Sequence, residues 1–430
     1  MEWLGWELPW YGWTLVSCGV LAVIGVVGAL FLPDWPEPDL KGGVDAPPGS
    51  DAFLDAAASF LNVPLLHGGE VTLLQNGEAF YPALLEAIRG ARETVNFEVY
   101  IFEPTGIGRE ILEAFMERAR AGVEVRLLVD GFGSHKLTRK HREELQAAGV
   151  RIERFRPVNL RNLVRIYRRT HRRAIVIDGR IGFTGGAAVA DKWRGGARTP
   201  EEWRDSLTRV TGVMVAGIQS AFASDWNYCT GELIAGPKFY PSLTPGRGAC
   251  GLAVVSSPSD AAQPVRLLLW LTFVNARRRL WIASSYFIPD RHLREAVAER
   301  ARNGVDVRIL VPGKHTDAIP VQAAGRSYYQ VLLEAGVRIF EYQPTMMHAK
   351  TVLADDRWAI VGSANLDERS MELNEENLFG IADPAFADAV ERGIVVDLAR
   401  SREVRLEEWC RRPVWRRGLE RLAMGLIEQY

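Results

Sequence analysis

The sequence predicts an α/β protein in which one unit of strands and helices occurs twice, preceded by a membrane-spanning helix. Three observations predict it. Several stretches recur in the same order in the two halves. Within each half, short apolar runs alternate with segments of helical periodicity. Near the N-terminus lies a twenty-residue run without a charge.

Residues 1–32 are read as an anchor. "WTLVSCGVLAVIGVVGALFL", Trp13 to Leu32, has the length needed to cross a hydrocarbon core of about 30 Å as a helix. Trp3, Trp6, Trp10, Trp13 and Trp35 flank it as an aromatic belt would. A cleaved signal peptide fits less well, because Glu2 and Glu7 are the only charges before the run and no basic n-region exists. A lipoprotein cleavage at Cys18 would leave most of the run behind the cysteine. Residues 33–51, rich in Pro, Gly and Asp, read as a tether. The first repeat unit is assigned to 52–250, the second to 251–400, and a basic amphipathic segment to 401–430.

The duplication rests on quoted strings. "ERARAGVEVRLLVDG" at 117–131 matches "ERARNGVDVRILVPG" at 299–313, and "AAGVRIERF" at 147–155 matches "EAGVRIFEY" at 334–342. "NFEVYIFEP" at 96–104 is similar to "WIASSYFIP" at 281–289. One α/β unit has been copied whole, since the order is kept. Inside the first unit the pattern runs strand, helix, strand, helix, strand, with Gly122 and Gly149 closing the helices. Such alternation favours a largely parallel sheet covered on both faces.

Composition sets bounds. With 430 residues, 47% hydrophobic and 24% charged, the chain suits a globular protein of two domains. A net charge of -1 exerts no general pull on nucleic acid. Four scattered cysteines support neither a disulfide framework nor a cysteine zinc site, and no histidine spacing completes a metal site. No metal or cofactor is expected.

The chemistry concentrates in one repeated motif. "HAKTVLAD" at 348–355 sets His348 and Lys350 two residues apart, on one face of an extended segment, and "GSAN" brings Ser363 and Asn365 to the end of the next strand. "HRRAIVID" at 171–178 and "GGAA" at 185–188 repeat this layout with His171, Arg173, Asp178 and Gly186. Cation, imidazole, hydroxyl and amide converging on one point suit a phosphate group. Two such sets allow one imidazole to attack phosphorus while the other carries the proton. Asp178 and Asp355 stand at strand ends, where aspartate commonly forms a turn. That role is favoured for them, with ion pairing to the motif cation as an addition.

The paired motifs resemble the HxKxxxxD–GSxN signature of the phospholipase D superfamily, over roughly residues 51–400. Within it the chain is most similar to the bacterial cardiolipin synthases, which share the apolar N-terminus, GG in the first motif and the "GSANLD.RS" pattern of the second. The resemblance implies two domains of mixed sheet flanked by helices, related by a pseudo-twofold axis. It implies a catalytic set of His171, His348, Arg173, Lys350, Asp178 and Asp355, with His171 as nucleophile and His348 as general acid. It implies phosphate binding by Ser363, Asn365 and Gly186, and Asp205 and Glu376 orienting the imidazoles. It further implies phosphatidylglycerol as an anionic lipid substrate, no nucleic acid partner, and a single-pass protein of the bacterial inner membrane. A hydrolytic phospholipase D uses the same residues. Arg173 replaces the signature lysine and Ala188 its asparagine, which keeps open a lipid-binding scaffold, although retention of His171 and Asp178 favours activity.

Two basic stretches remain. Residues 151–173 carry nine arginines on either side of His171 and suit a rim that draws in anionic head groups. Residues 405–430 mix Trp409, Trp415, Leu419 and Leu422 with arginines. They read either as an interfacial helix or as a helix packed on the protein's own core.

Overall fold

The computed structural model describes residues 12–21, 40–159, 167–243, 246, 248–258 and 263–427. Residues 43–430 form one compact unit, and residues 1–42 a second, separate one. Residues 12–21 are helical. Among the described residues no helix is long and apolar enough to cross a membrane, and 22–32 of the expected span lie outside them.

The strands run in chain order as β1 (Leu65–His67), β2 (Val71–Gln75), β3 (Thr94–Val99), β4 (Glu124–Asp130), β5 (Arg151–Phe155), β6 (Ala174–Ile177), β7 (Ile181–Gly185) and β8 (Ser206–Thr211). They continue as β9 (Cys250–Ser256), β10 (Arg279–Ala283), β11 (Phe287–Ile288), β12 (Asp306–Pro312), β13 (Arg338–Tyr342), β14 (Thr351–Ala354), β15 (Trp358–Gly362), β16 (Leu366–Asp367), β17 (Glu376–Ala382) and β18 (Ser401–Val404). Seven form one sheet in the order β2-β8-β7-β6-β3-β4-β5, and nine form another, β1-β9-β17-β15-β14-β10-β12-β13-β18. Leaving out the edge strands β1 and β18, the two orders correspond strand for strand, as a duplication demands.

Each sheet is mixed, not largely parallel. Within these two sheets only β3-β4-β5 and β10-β12-β13 run parallel, and these are the strands joined by the helices 107–120, 139–147, 291–302 and 329–334. The motif strands β6-β7 and β14-β15 are tight antiparallel hairpins, whose short turns leave no room for a crossover. The local pattern exposed the crossovers and hid the hairpins.

Residue chemistry accounts for the layers. β3 and β6 are buried throughout, and the helix Ile107–Arg120 turns Ile107, Ile111, Leu112 and Phe115 onto the first sheet. After this helix Gly122 has φ of 90°, and Gly304 has 85° at the same point of the second half, a left-handed turn that only glycine adopts without strain. Between the sheets lie the helices 215–230 and 384–399. They pack Phe222, Trp226, Phe386 and Val390 with Val176 and Leu128 of one sheet and Leu353 and Phe379 of the other.

The assigned domain boundaries shift in two places. Ala46, Pro48 and Gly49, expected in the tether, are buried, and Asp45 pairs with Arg277 at 3.0 Å. The helix Asp51–Leu61, capped by Ser50, packs its Phe53 edge-on to Trp358 at 5.3 Å, and β1 adds to β9. Residues 45–67 therefore complete the second half's sheet and layer, not the first's. At the other end, β18 extends the second sheet beyond residue 400. The helix Val414–Ile427 lies along Ile319–Arg326, with Met424 buried beside Ala324 and Ile288. Of the two readings of this segment, packing on the protein's own core holds for that face, while Trp415, Leu419 and Leu422 are exposed.

Candidate active site

Each motif histidine precedes a hairpin of the buried sheet, and each is tied to the other half by backbone bonds. The His171 amide donates to the Glu375 carbonyl at 2.9 Å, and the His348 amide to the Arg204 carbonyl at 2.7 Å. Glu375 and Arg204 each precede a carboxylate residue. In consequence the carboxylates cross over. Glu376, from the second half, meets His171 Nδ1 at 3.0 Å, and Asp205, from the first, meets His348 Nδ1 at 2.6 Å. Sequence reasoning named all four residues but had no signal for the exchange.

The chemistry follows from these contacts. Burial raises the proton affinity of both carboxyls, but His348 and Lys350 hold Asp205 below the usual carboxylate range, and His171 and Ser363 do the same for Glu376. Burial, with Arg173 nearby, brings His171 down to about 4, and burial with Lys350 brings His348 down to about 3. Both rings are therefore neutral near pH 7. A neutral ring facing an ionised carboxylate must donate from Nδ1, which leaves the lone pair on Nε2, on His348 within 3.1 Å of Lys350 Nζ.

Both imidazoles line one cavity of about 450 Å³, together with Arg173, Asn365, Tyr100, Trp203 and Tyr286. Arg173 is 1% exposed and donates to the carbonyls of His171 and Ala187. Among the described residues its Nη2 has no hydrogen-bond partner. In the second half Lys350 repeats the contact, donating to the His348 carbonyl at 2.6 Å and to Ser285 Oγ at 2.8 Å, with Nζ 3.1 Å from His348 Nε2. Burial and Arg173 bring this lysine down to about 7. The Asn365 amide oxygen is buried without a partner at the cavity wall.

Four expected site residues stand elsewhere. Asp178 accepts from the backbone amides of Arg92, Glu93 and Thr94 at 2.8–2.9 Å, and Asp355 from those of Arg277, Arg278 and Arg279 at 2.8–3.2 Å. They pin the hairpin turns to the starts of β3 and β10, and neither pairs with a motif cation. Ser363 spends its hydroxyl on Glu376, not on the cavity. Gly186 makes room for Asp205: a Cβ there would lie 2.3 Å from Asp205 Oδ1. Of the three expected phosphate binders, only Asn365 faces the cavity.

The arginine-rich stretch is likewise put to internal use. Arg169 reaches Asp130 at 3.5 Å, Arg172 pairs with Asp225 at 2.6 Å, and Arg156 with Glu375 at 3.3 Å, all in buried or half-buried positions. These three arginines clamp the segment around His171 to its surroundings and do not form an open lipid-attracting rim; residues 160–166 lie outside the described residues.

Comparison with known proteins decides the family. The family described as "Cardiolipin synthase, PLD-like domain" matches residues 84–192 and 271–394. The cardiolipin synthase A of Pseudomonas putida is 36% identical over 360 residues, covering 84% of this chain and 74% of that one. The chain belongs to the cardiolipin synthase family with phospholipase D-like domains. A cardiolipin synthase of Alkalihalophilus pseudofirmus is also 36% identical, over 83% of this chain and 71% of that protein. Among solved structures, the phosphatidylserine synthase of Haemophilus influenzae Rd KW20 matches with a TM-score of 0.67 at 17% identity, over 87% of this chain and 98% of that chain. That likeness shows the shared fold.

Within this family fold, the surroundings of the two imidazoles differ. His348 is walled by Trp203 and Trp193, at 5.2 and 5.3 Å between ring centroids, and Trp193 Nε1 donates to Asp205 at 2.9 Å. His171 instead has Tyr100 edge-on at 5.3 Å. Neither tryptophan carries a motif that sequence reasoning could have used.

Proposed function

We propose that the protein is a phosphatidyltransferase of the cardiolipin synthase type, joining two phosphatidylglycerols to cardiolipin with release of glycerol. The observation that carries this reading is the reciprocal pair of imidazoles, each oriented by the other half's carboxylate and opening on one cavity with Arg173 and Asn365. In this scheme Arg173, Lys350 and Asn365 hold the non-bridging oxygens of the donor's phosphate. His171 Nε2 attacks phosphorus, and the bond to the glycerol oxygen breaks as His348 gives that oxygen its proton. The second phosphatidylglycerol then loses a hydroxyl proton to His348, and its oxygen displaces His171 from phosphorus. Atoms balance with no metal in either step. Contact with the anionic phosphate raises the proton affinity of His348, which otherwise sits near 3, so that the ring takes up a solvent proton on Nε2 as the donor binds; this is the proton passed to glycerol and recovered from the acceptor hydroxyl. The run Trp13–Leu32 is assigned as a single membrane span of the bacterial inner membrane, tethering this body beside its substrate.

Purified full-length protein with phosphatidylglycerol liposomes tests the reading. Cardiolipin and glycerol should appear in equal amounts, undiminished by EDTA, and be absent with His171→Ala or His348→Ala. Phosphatidic acid in place of cardiolipin would make the enzyme a hydrolase, and loss of activity to EDTA would end the metal-free scheme.

A further inference from the structure

The wall beside His348 holds a cation that the scheme above leaves unused. Lys192 lies in the turn Asp191–Trp193, with Nζ 3.7 Å from the ring centroid of Trp203 and 4.6 Å from that of Trp193. Among the described residues it forms no ion pair. Its two carboxylate neighbours are already engaged: Asp317 accepts from Tyr286 Oη at 2.9 Å, and Glu103 pairs with Lys136 at 2.9 Å. Half-buried and seated on indole faces, the ammonium has lost much of its water and gained only π contacts in return. Such a cation is poised for an anion.

Position identifies which anion. The two indoles under Lys192 are the ones that wall His348, so the ammonium lies one ring away from the imidazole. Trp203, Asp317 and His348 all line the cavity. In a phosphatidylglycerol acceptor, the attacking hydroxyl and its own phosphorus are separated by three carbons and one ester oxygen, a reach of roughly 6 Å at ordinary bond lengths. A hydroxyl bonded to His348 thus carries its phosphate to the neighbourhood of Lys192. Water and free glycerol bring no phosphate there.

We propose that Lys192, supported by Trp203 and Trp193, binds the phosphodiester of the acceptor lipid and so selects phosphatidylglycerol over water and glycerol as the second substrate. This rests on the phosphatidyltransferase reading above. The donor site, built by Arg173, Lys350 and Asn365, is separate.

The test compares two reactions of the full-length enzyme on phosphatidylglycerol liposomes. Exchange of labelled glycerol into phosphatidylglycerol reports the donor step with an acceptor that lacks phosphate. Cardiolipin formation requires the acceptor phosphate as well. Lys192→Met should retain exchange within about twofold while cardiolipin formation falls roughly ten- to hundred-fold, the loss expected for one charge-assisted contact, with more phosphatidic acid formed. Lys192→Arg should recover most of the synthesis. Parent-like exchange by the methionine variant also demonstrates that it folds. Equal loss of both reactions, or loss of neither, would overturn the acceptor site. A parent that forms no cardiolipin from phosphatidylglycerol would overturn the transferase reading, and the acceptor site with it.

Discussion

Replacing Arg173 probes the half-site that departs most from its partner. The second half offers Lys350 and Asn365, whereas the first offers Arg173 and Ala188. Arg173→Ala removes a 1%-exposed guanidinium whose Nη2 points at no protein acceptor among the described residues. A charge-assisted contact made to the reacting phosphate in such a site contributes on the order of 2–4 kcal/mol, or roughly thirty- to a thousand-fold in rate. The same substitution removes a positive charge that lowers the proton affinity of His171, His348 and Lys350. The acid limb of kcat/KM, set in the free enzyme by His171 near 4, should therefore move to higher pH in the variant. Arg173→Lys keeps the charge and the reach to the His171 carbonyl, as Lys350 does in its own half, and should stay within about tenfold of the parent. Cardiolipin formation from phosphatidylglycerol liposomes across pH 4–9 reads both effects. An alanine variant with parental rate and an unmoved acid limb would place Arg173 outside the chemistry.

Three further outcomes follow from the site. Asp205→Asn and Glu376→Gln should each cost about a thousandfold or more in kcat, because an amide no longer enforces the Nδ1–H tautomer; a loss below tenfold would refute the orienting role. In the proposed scheme Lys350 holds phosphate only when protonated, and it sits near 7, so kcat/KM should fall as pH rises through about 7. Lys350→Arg should carry that limb beyond pH 9, and a limb identical in both proteins would exclude Lys350. Fold stability should decline with acid, since the unfolded chain takes up protons near 6.5 that the folded His171 and His348 refuse until about 4 and 3. Denaturant titrations from pH 7 to 4 should show a shallower loss in the His171→Ala, His348→Ala double variant, and an unchanged slope would mean the rings are not desolvated.

What the sequence made legible was whatever repeats or alternates locally. The strings around Gly122 and Gly304 placed two β-α-β units, and the two histidine motifs held the His171, Arg173, His348 and Asn365 that line one cavity. Three features escaped because they depend on contacts between residues far apart in the chain. Nothing near Glu376 indicates that its partner is His171, 205 residues away. The arginines flanking His171 look like a basic surface until Asp130, Asp225 and Glu375 are seen to pair with Arg169, Arg172 and Arg156. Asp178 and Asp355 belong to the signature motif, yet each serves three backbone amides at a turn. Their sequence position gives no means of separating a motif residue that touches the cavity from one that holds the motif in shape.

The route of the chain through the second sheet bears on how the protein is made. Strand β1 ends at His67, but the strand it pairs with, β9, begins at Cys250. At about 5–20 residues per second, the ribosome takes on the order of ten to forty seconds to cover that interval. Throughout it, Phe53 and Leu54 of the helix 51–61 lack the surface that later buries them, while the first sheet can already assemble. The N-terminal piece of the body is thus the last to lock, and a ribosome stalled within residues 67–250 would display a greasy, unclaimed helix to chaperones and proteases.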